Sequence, residues 1–251
     1  MKRVWGNILA AASLLAGSAV VFSACVHDDS TIFVRDVMAP PTTGSTGGGC
    51  LYTADPTQPA LSSGVLDVAV RGEYEAVFLV GNQMVPEVNQ NQLQTETSTV
   101  TIQGSVVRIT DAKGQQLTTY TRLATATIGP SSGSTPGYAT VVGVTILDPI
   151  TVANNTAILP VRLVTYVRFF GVTLGGKSVE SNEFEFPIDV CLGCLAEYTN
   201  SPLNPLPNCV VGVGLTSTTT TVTTPCNVGE DQGYDCNLGC DAIPACKANS
   251  M

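Results

Sequence analysis

The stretch AILPVRLVTYVRFF, Ala157 to Phe170, is the longest apolar run in the body of the chain, and its reading decides the fold. From Val161 onward its side chains alternate. Leu163, Thr165, Val167 and Phe169 point one way, while Arg162, Val164, Tyr166, Arg168 and Phe170 point the other. A period of two is that of an extended strand whose successive side chains leave on opposite faces. The face carrying both arginines is the one expected to meet solvent.

The same texture continues in both directions. Toward the N-terminus, strands are expected over Tyr138 to Leu147, Gln116 to Ile128, Ser98 to Thr110 (with Gly104 marking a bulge or bend), Tyr74 to Val80 and Gly64 to Arg71. Asp111 to Gly114 carries turn chemistry, and Gly72-Glu73 reads as a hairpin turn or bulge. Two longer connections are polar, Asn82 to Glu96 and Gly129 to Gly137. Toward the C-terminus, Gly175-Gly176 signals a hairpin leading to a last strand, Glu183 to Val190, which Pro187 assigns to a sheet edge. Helices of the length a βαβ unit needs are not expected here. The pattern is that of an all-β, antiparallel β-sandwich, immunoglobulin- or fibronectin-like in general architecture, with a closed barrel as the runner-up. The strand region has no cysteine, unlike the inter-sheet bridge of antibody domains.

Nine cysteines bracket this body. Seven of them, Cys191, Cys194, Cys209, Cys226, Cys236, Cys240 and Cys246, lie in a Pro- and Thr-rich segment, 191–251, read as a small disulfide-rich extension. Such a segment has little core, and crosslinks replace burial. Seven cannot pair among themselves, so if every cysteine here is bonded, one joins Cys50 and brings the two ends of the body together. The pairing is otherwise open.

The ninth cysteine is Cys25. Met1, Lys2 and Arg3 form a short positive region, Ile8 to Phe22 an apolar or small-residue core, and Ser23-Ala24-Cys25 closes it. This segment resembles the bacterial lipobox signal, with Phe22 where the pattern usually has Leu. The resemblance implies cleavage after Ala24, diacylation of Cys25 and palmitate or a similar chain on the new N-terminus. An ordinary secretory signal or a single membrane span are the alternatives, and the core is short for a span. Giving Cys25 to lipid leaves eight cysteines, an even number suited to an oxidising compartment. Residues 25–61, with Pro40, Pro41 and a Gly-rich run to Gly49, read as a flexible tether in which Ile32-Phe33-Val34 is a short strand or a docking patch, and 62–190 as the sandwich. Val26 follows the cysteine where Asp marks inner-membrane retention, so the resemblance points to the outer membrane.

Removing Lys2 and Arg3 leaves 9 basic against 20 acidic side chains, a balance of −11. That surface disfavours nucleic acid and anionic headgroups, and membrane contact is expected through the N-terminal lipid. No catalytic residue, metal site or cofactor is assigned. The lone histidine, His27, falls in the tether, where triad geometry cannot be held. Cys191-Leu-Gly-Cys194 has redox or zinc spacing but reads as structural, and Glu230, Asp231, Asp235 and Asp241 carry a weak calcium reading. A hydrolase would need several of Asp67, Glu73, Glu75, Glu183, Glu185 and Asp189 to converge.

As a whole the chain resembles uncharacterised envelope lipoproteins of Gram-negative bacteria such as myxobacteria. The expected function is a non-catalytic structural or protein-binding module in the cell envelope, its partner an envelope protein. The alternative is a carbohydrate-binding or adhesive module, with a surface glycan met by Tyr120, Tyr138, Tyr166 and Phe170.

Overall fold

The computed structural model describes residues 31–41, 50–86, 96–197 and 226–235. Two β-sheets pack face to face. One is ordered β2 (Ala60–Leu61), β1 (Ile32–Met38), β4 (Tyr74–Asn82), β7 (Gly137–Leu147). The other runs β3 (Gly64–Asp67), β10 (Phe184–Cys191), β8 (Val161–Thr173), β5 (Val100–Asp111), β6 (Gln116–Ile128), with β9 (Ser178–Glu180) pairing the far end of β8. A two-strand ribbon, β11 (Ala196–Glu197) with β12 (Tyr234–Asp235), closes the described chain. The all-β expectation holds, as two sheets rather than a closed barrel.

The alternation read in the quoted stretch fills the core. Leu163, Thr165, Val167 and Phe169 are fully buried between the sheets. They meet Tyr74, Ala76, Phe78 and Val80 of β4, Val141, Val144 and Ile146 of β7, and Phe186, Ile188 and Val190 of β10. The Phe78 and Phe169 rings meet edge to face across the sandwich, centroids 5.2 Å apart. Gly104 sits at the register shift on both sides of β5, and a Cβ there would lie 2.6 Å from the Phe170 ring.

Several expectations are corrected. Strand β8 begins at Val161, because Thr156–Ile158 is a 3₁₀ turn after a short helix, α1 (Pro149–Asn155). Asp148 caps that helix, accepting from the Ile150 and Thr151 N–H groups. Gly72-Glu73 does not make a hairpin: β3 and β4 belong to different sheets, and the chain leaves β3 through a turn in which Asp67 O accepts from the Val70 and Arg71 N–H groups. The Gly175-Gly176 turn leads to β9. The next strand, β10, is not an edge but lies between β3 and β8. Pro187 is tolerated because its neighbour β3 begins pairing only at Ile188.

The stretch assigned to a flexible tether contributes β1, which pairs antiparallel with β4 from Ile32↔Asn82 to Val37↔Phe78, and also β2. The boundary at Leu61 therefore does not mark the start of the sandwich. Outside the main core, Met38 of β1 and Val77 and Leu79 of β4 are buried under Tyr52 and Tyr138. This second layer explains why β4 is buried on both faces. Among the described residues, no helix is long and apolar enough to cross a membrane.

Candidate functional site

Three features gather chemistry at the surface. The first is a clasp at the lower end of the sandwich, the end where Tyr74 and Leu147 pair. Residues 226–235 run along the outer edge of β3. The Asp67 N–H donates to Gly229 O at 2.9 Å, and the Asp231 N–H to Val65 O at 3.0 Å. The edge of β3 is thereby covered. Gly229 and Asp231 both have left-handed backbone, φ 85° and 55°, and a Cβ on Gly229 would lie 2.8 Å from Val70 Cβ.

The clasp is built of carboxyl groups turned inward. Asp231 Oδ1 accepts from the Val65 N–H at 2.6 Å, and its Oδ2 accepts from the Tyr74 hydroxyl. Glu230 is fully buried: Oε1 accepts from the Glu75 N–H at 2.8 Å, and Oε2 lies 3.3 Å from the Arg71 guanidinium, which also holds Glu75 at 3.0 Å. Burial pushes the Glu230 carboxyl up to about 7, against the pull of the Glu75 N–H and Arg71. Burial also raises Asp231 and, with Asp231 beside it, the Tyr74 hydroxyl. The calcium reading needs Glu230 and Asp231 to offer free oxygens from a loop. They instead face the protein, where both Asp231 oxygens and Glu230 Oε1 accept hydrogen bonds, while the buried Glu230 Oε2 has only the Arg71 guanidinium nearby and no hydrogen bond. Of Asp235 only the backbone is described, and Asp241 lies outside the described residues.

Beside the clasp, Cys191 and Cys194 form a disulfide, Cα–Cα 5.9 Å, and Cys50 is joined to Cys226, Cα–Cα 5.6 Å across 176 residues. Asp67, fully buried, lies against the Cys191–Cys194 loop. Its Oδ1 accepts from the Gly193 and Ala69 N–H groups at 2.7 and 3.0 Å, and Oδ2 from the Leu195 N–H at 3.0 Å. The carboxylate thus organises the loop. It would complete a metal-ligand triad only with both sulfurs released from their bond. Cys25, Cys209, Cys236, Cys240, Cys246 and His27 lie outside the described residues.

The second feature is the outer face of the larger sheet, the face assigned to solvent. Arg108 stacks over the Tyr166 ring at 3.9 Å and makes two hydrogen bonds to Glu183 at 2.7 and 3.2 Å. Arg162 holds Asp189 through two contacts of 2.7 Å, and Arg168 lies 3.0 Å from Glu180. The arginine hydrogen bonds hold the Glu183 and Asp189 carboxyls below the usual carboxylate range. The six carboxylates a hydrolase would have gathered are therefore divided between this face and the clasp. The aromatic quartet is divided too. Tyr166 and Phe170 stand on the outer face of β8. Tyr120 packs against the core and donates to Thr145 O, and Tyr138 meets Phe33 on the other sheet.

The third feature was missed in the sequence. Bulges in three strands, at Gln103, at Ala124-Thr125 and at Val142-Gly143, lie together where the outermost strands of the two sheets, β6 and β7, adjoin. They line a shallow cleft of about 810 Å³ between Thr101–Gln103, Leu123–Thr125, Thr140 and Val142. Leu123 is 91% exposed and Val142 61%. Gly143 was the available signal, since at its φ of +68° only glycine sits at little cost, but an isolated Gly within Val-Val-Gly-Val reads simply as strand. The lining has no ionisable side chain, so the cleft can hold apolar or backbone groups but cannot move a proton.

No family model matches the chain, and no curated protein matches it. Among solved structures, the X-ray structure of a Northeast Structural Genomics Consortium target is similar over 64% of this chain and 88% of that one, at 13% identity and a TM-score of 0.28.

Proposed function

We propose that this chain is a non-catalytic lipoprotein of the bacterial cell envelope, anchored in the outer membrane through Cys25, whose sandwich serves as a structural or protein-binding module. The observation that carries the anchor is the segment Met1 to Cys25, with its positive start, apolar core and Ser23-Ala24-Cys25 ending. Disulfides at Cys50–Cys226 and Cys191–Cys194 support the accompanying oxidising compartment. What supports protein binding is the β6 border. It is thirteen residues long, is paired on one side only among the described residues, carries a single charge, Arg122, and flanks the cleft with Leu123 exposed. Free edges of this kind are templates for an added strand.

The finer architecture belongs to the same proposal. The order β5-β8-β10 with β6 outside, facing β1-β4-β7, follows an immunoglobulin-type C-F-G sheet over an A-B-E sheet. In that correspondence the Phe78–Phe169 contact occupies the place of the B–F disulfide.

The anchor is tested by growing cells expressing the full chain with a labelled fatty acid. Label in the wild-type protein, lost together with membrane association in Cys25→Ala, is the expected result. Equal fractionation of both, unlabelled, would refute it.

A further inference from the structure

We infer that β6 docks a second copy of this chain: the two β6 strands pair antiparallel about a two-fold axis at Tyr120 and join two larger sheets into one. This rests on the protein-binding role proposed for β6 and names its partner. The stretch Leu117-Thr118-Thr119-Tyr120-Thr121-Arg122-Leu123 is nearly the same in both directions about Tyr120. Two identical strands paired antiparallel set residues at equal distances on either side of the axis opposite one another, so such a stretch is its own complement.

The fold places this stretch on a sheet border. Among the described residues β6 pairs with β5 alone. It holds neither proline nor glycine, and its one charge is Arg122, so the usual devices that blunt an edge are missing. At the opposite border of the same sheet, residues 226–235 cover β3. Register shifts against β5 fall at Leu117 and just past Leu123, so bulges bracket the symmetric stretch. Thr119, Thr121 and both leucines are exposed. Residues opposite one another in an antiparallel pair send their side chains to the same face, which fixes the axis at a residue and not between two. An axis at Tyr120 sets Leu123 opposite Leu117 of the second copy at both ends, Thr119 opposite Thr121 and Arg122 opposite Thr118. An axis at Thr119 or Thr121 separates the leucines, and one at Arg122 sets two arginines face to face. Charge favours the same register. The two Arg122 side chains stand apart by the length from Thr118 to Arg122, roughly 13 Å, beyond a screening length of about 8 Å. Each is carried toward the Gln116 end of the other copy. There the Asp111 N–H meets Gln115 O, and burial, Asp148 and Glu73 raise the Tyr120 hydroxyl against the pull of Arg122. A cation thus meets an acidic end twice in the dimer.

A photocrosslinker at the centre of the pairing tests it. Full-chain protein carrying Thr121→p-benzoylphenylalanine is irradiated in the intact cells that make it, and the products are identified by mass. The expected product has twice the mass of the chain, and Leu192→p-benzoylphenylalanine, exposed beyond β10 on the far side of the sheet, gives none. Adding Leu123→Glu, which sets a carboxylate against Leu117 at two symmetric points, is expected to lower the yield about tenfold. Because Leu123 is 91% exposed, the fold itself is left intact. Adding Leu117→Lys as well should restore the yield, since lysine and glutamate then stand opposite each other in the two copies. A double variant no better than Leu123→Glu alone overturns the Tyr120-centred register, and equal self-crosslinking from Leu192 overturns the pairing as mere crowding. A crosslink from Thr121 to a different protein overturns the self-pairing and leaves β6 a docking edge. Irradiation that joins Thr121 to nothing overturns both.

Discussion

Replacing both Cys50 and Cys226 by serine tests whether the tail is a clasp or an ornament. The bond joins the segment that covers β4 to the segment that covers β3, across 176 residues. In the chain-entropy picture, closing a loop of that length removes about 5 kcal/mol of freedom from the unfolded state, whereas the Cys191–Cys194 loop of three residues removes about 1.5. With a urea m-value of about 2.5 kcal/mol/M, the Cys50→Ser/Cys226→Ser protein should unfold at a midpoint about 2 M lower. Cys191→Ser/Cys194→Ser should shift by well under half as much. The assay is equilibrium unfolding followed by far-UV circular dichroism without reductant. A shift below about 0.4 M for the long-range pair, or a larger shift for the short-range one, would refute the reasoning.

Three further outcomes follow from individual contacts in the fold. Because the folded state holds Glu230 near 7 instead of 4.5, about 3 kcal/mol of stability is fully present below pH 4.5 and lost as the pH rises through 7; Glu230→Gln should flatten unfolding midpoints across pH 5–8, and a wild-type midpoint rising through that window would contradict the assignment. Asp67→Ala leaves the N–H groups of Ala69, Gly193 and Leu195 without their acceptor and should cost about 3 kcal/mol by thermal unfolding, with Asp67→Asn recovering part of it. At Gly171 an added Cβ would lie 2.3 Å from Thr101 O, so Gly171→Ala should pry β5 from β8 and cost about 2 kcal/mol, and an unchanged midpoint would count against the pairing of Gly171 with Ile102.

What was readable in the sequence was whatever depends on local periodicity. The strand through Leu163 and Phe169, the Gly104 bulge and the Gly175-Gly176 turn each announce themselves within a few residues. Partner choice does not. Gly72-Glu73 signals that the chain reverses, yet nothing local says that β3 and β4 part into different sheets. Strand β1 was legible only at its start, Ile32-Phe33-Val34, because Arg35 and Asp36 interrupt its alternation where the register shifts between Val34 and Asp36. Glu230 and Asp231 looked like solvent-facing acids because their donors, Tyr74 and the N–H groups of Val65 and Glu75, lie more than 150 residues away. The three-strand cleft was invisible for the same reason, being made by bulges from β5, β6 and β7 that meet only in space.

The proposed lipid anchor and closed set of disulfides are tested most directly by the mass of the protein recovered from membranes, unreduced. The expected result is an N-terminal peptide beginning at Cys25 with added acyl mass, and eight hydrogens missing from the remaining cysteines. An unmodified Cys25 with free thiols in residues 191–251 would contradict it.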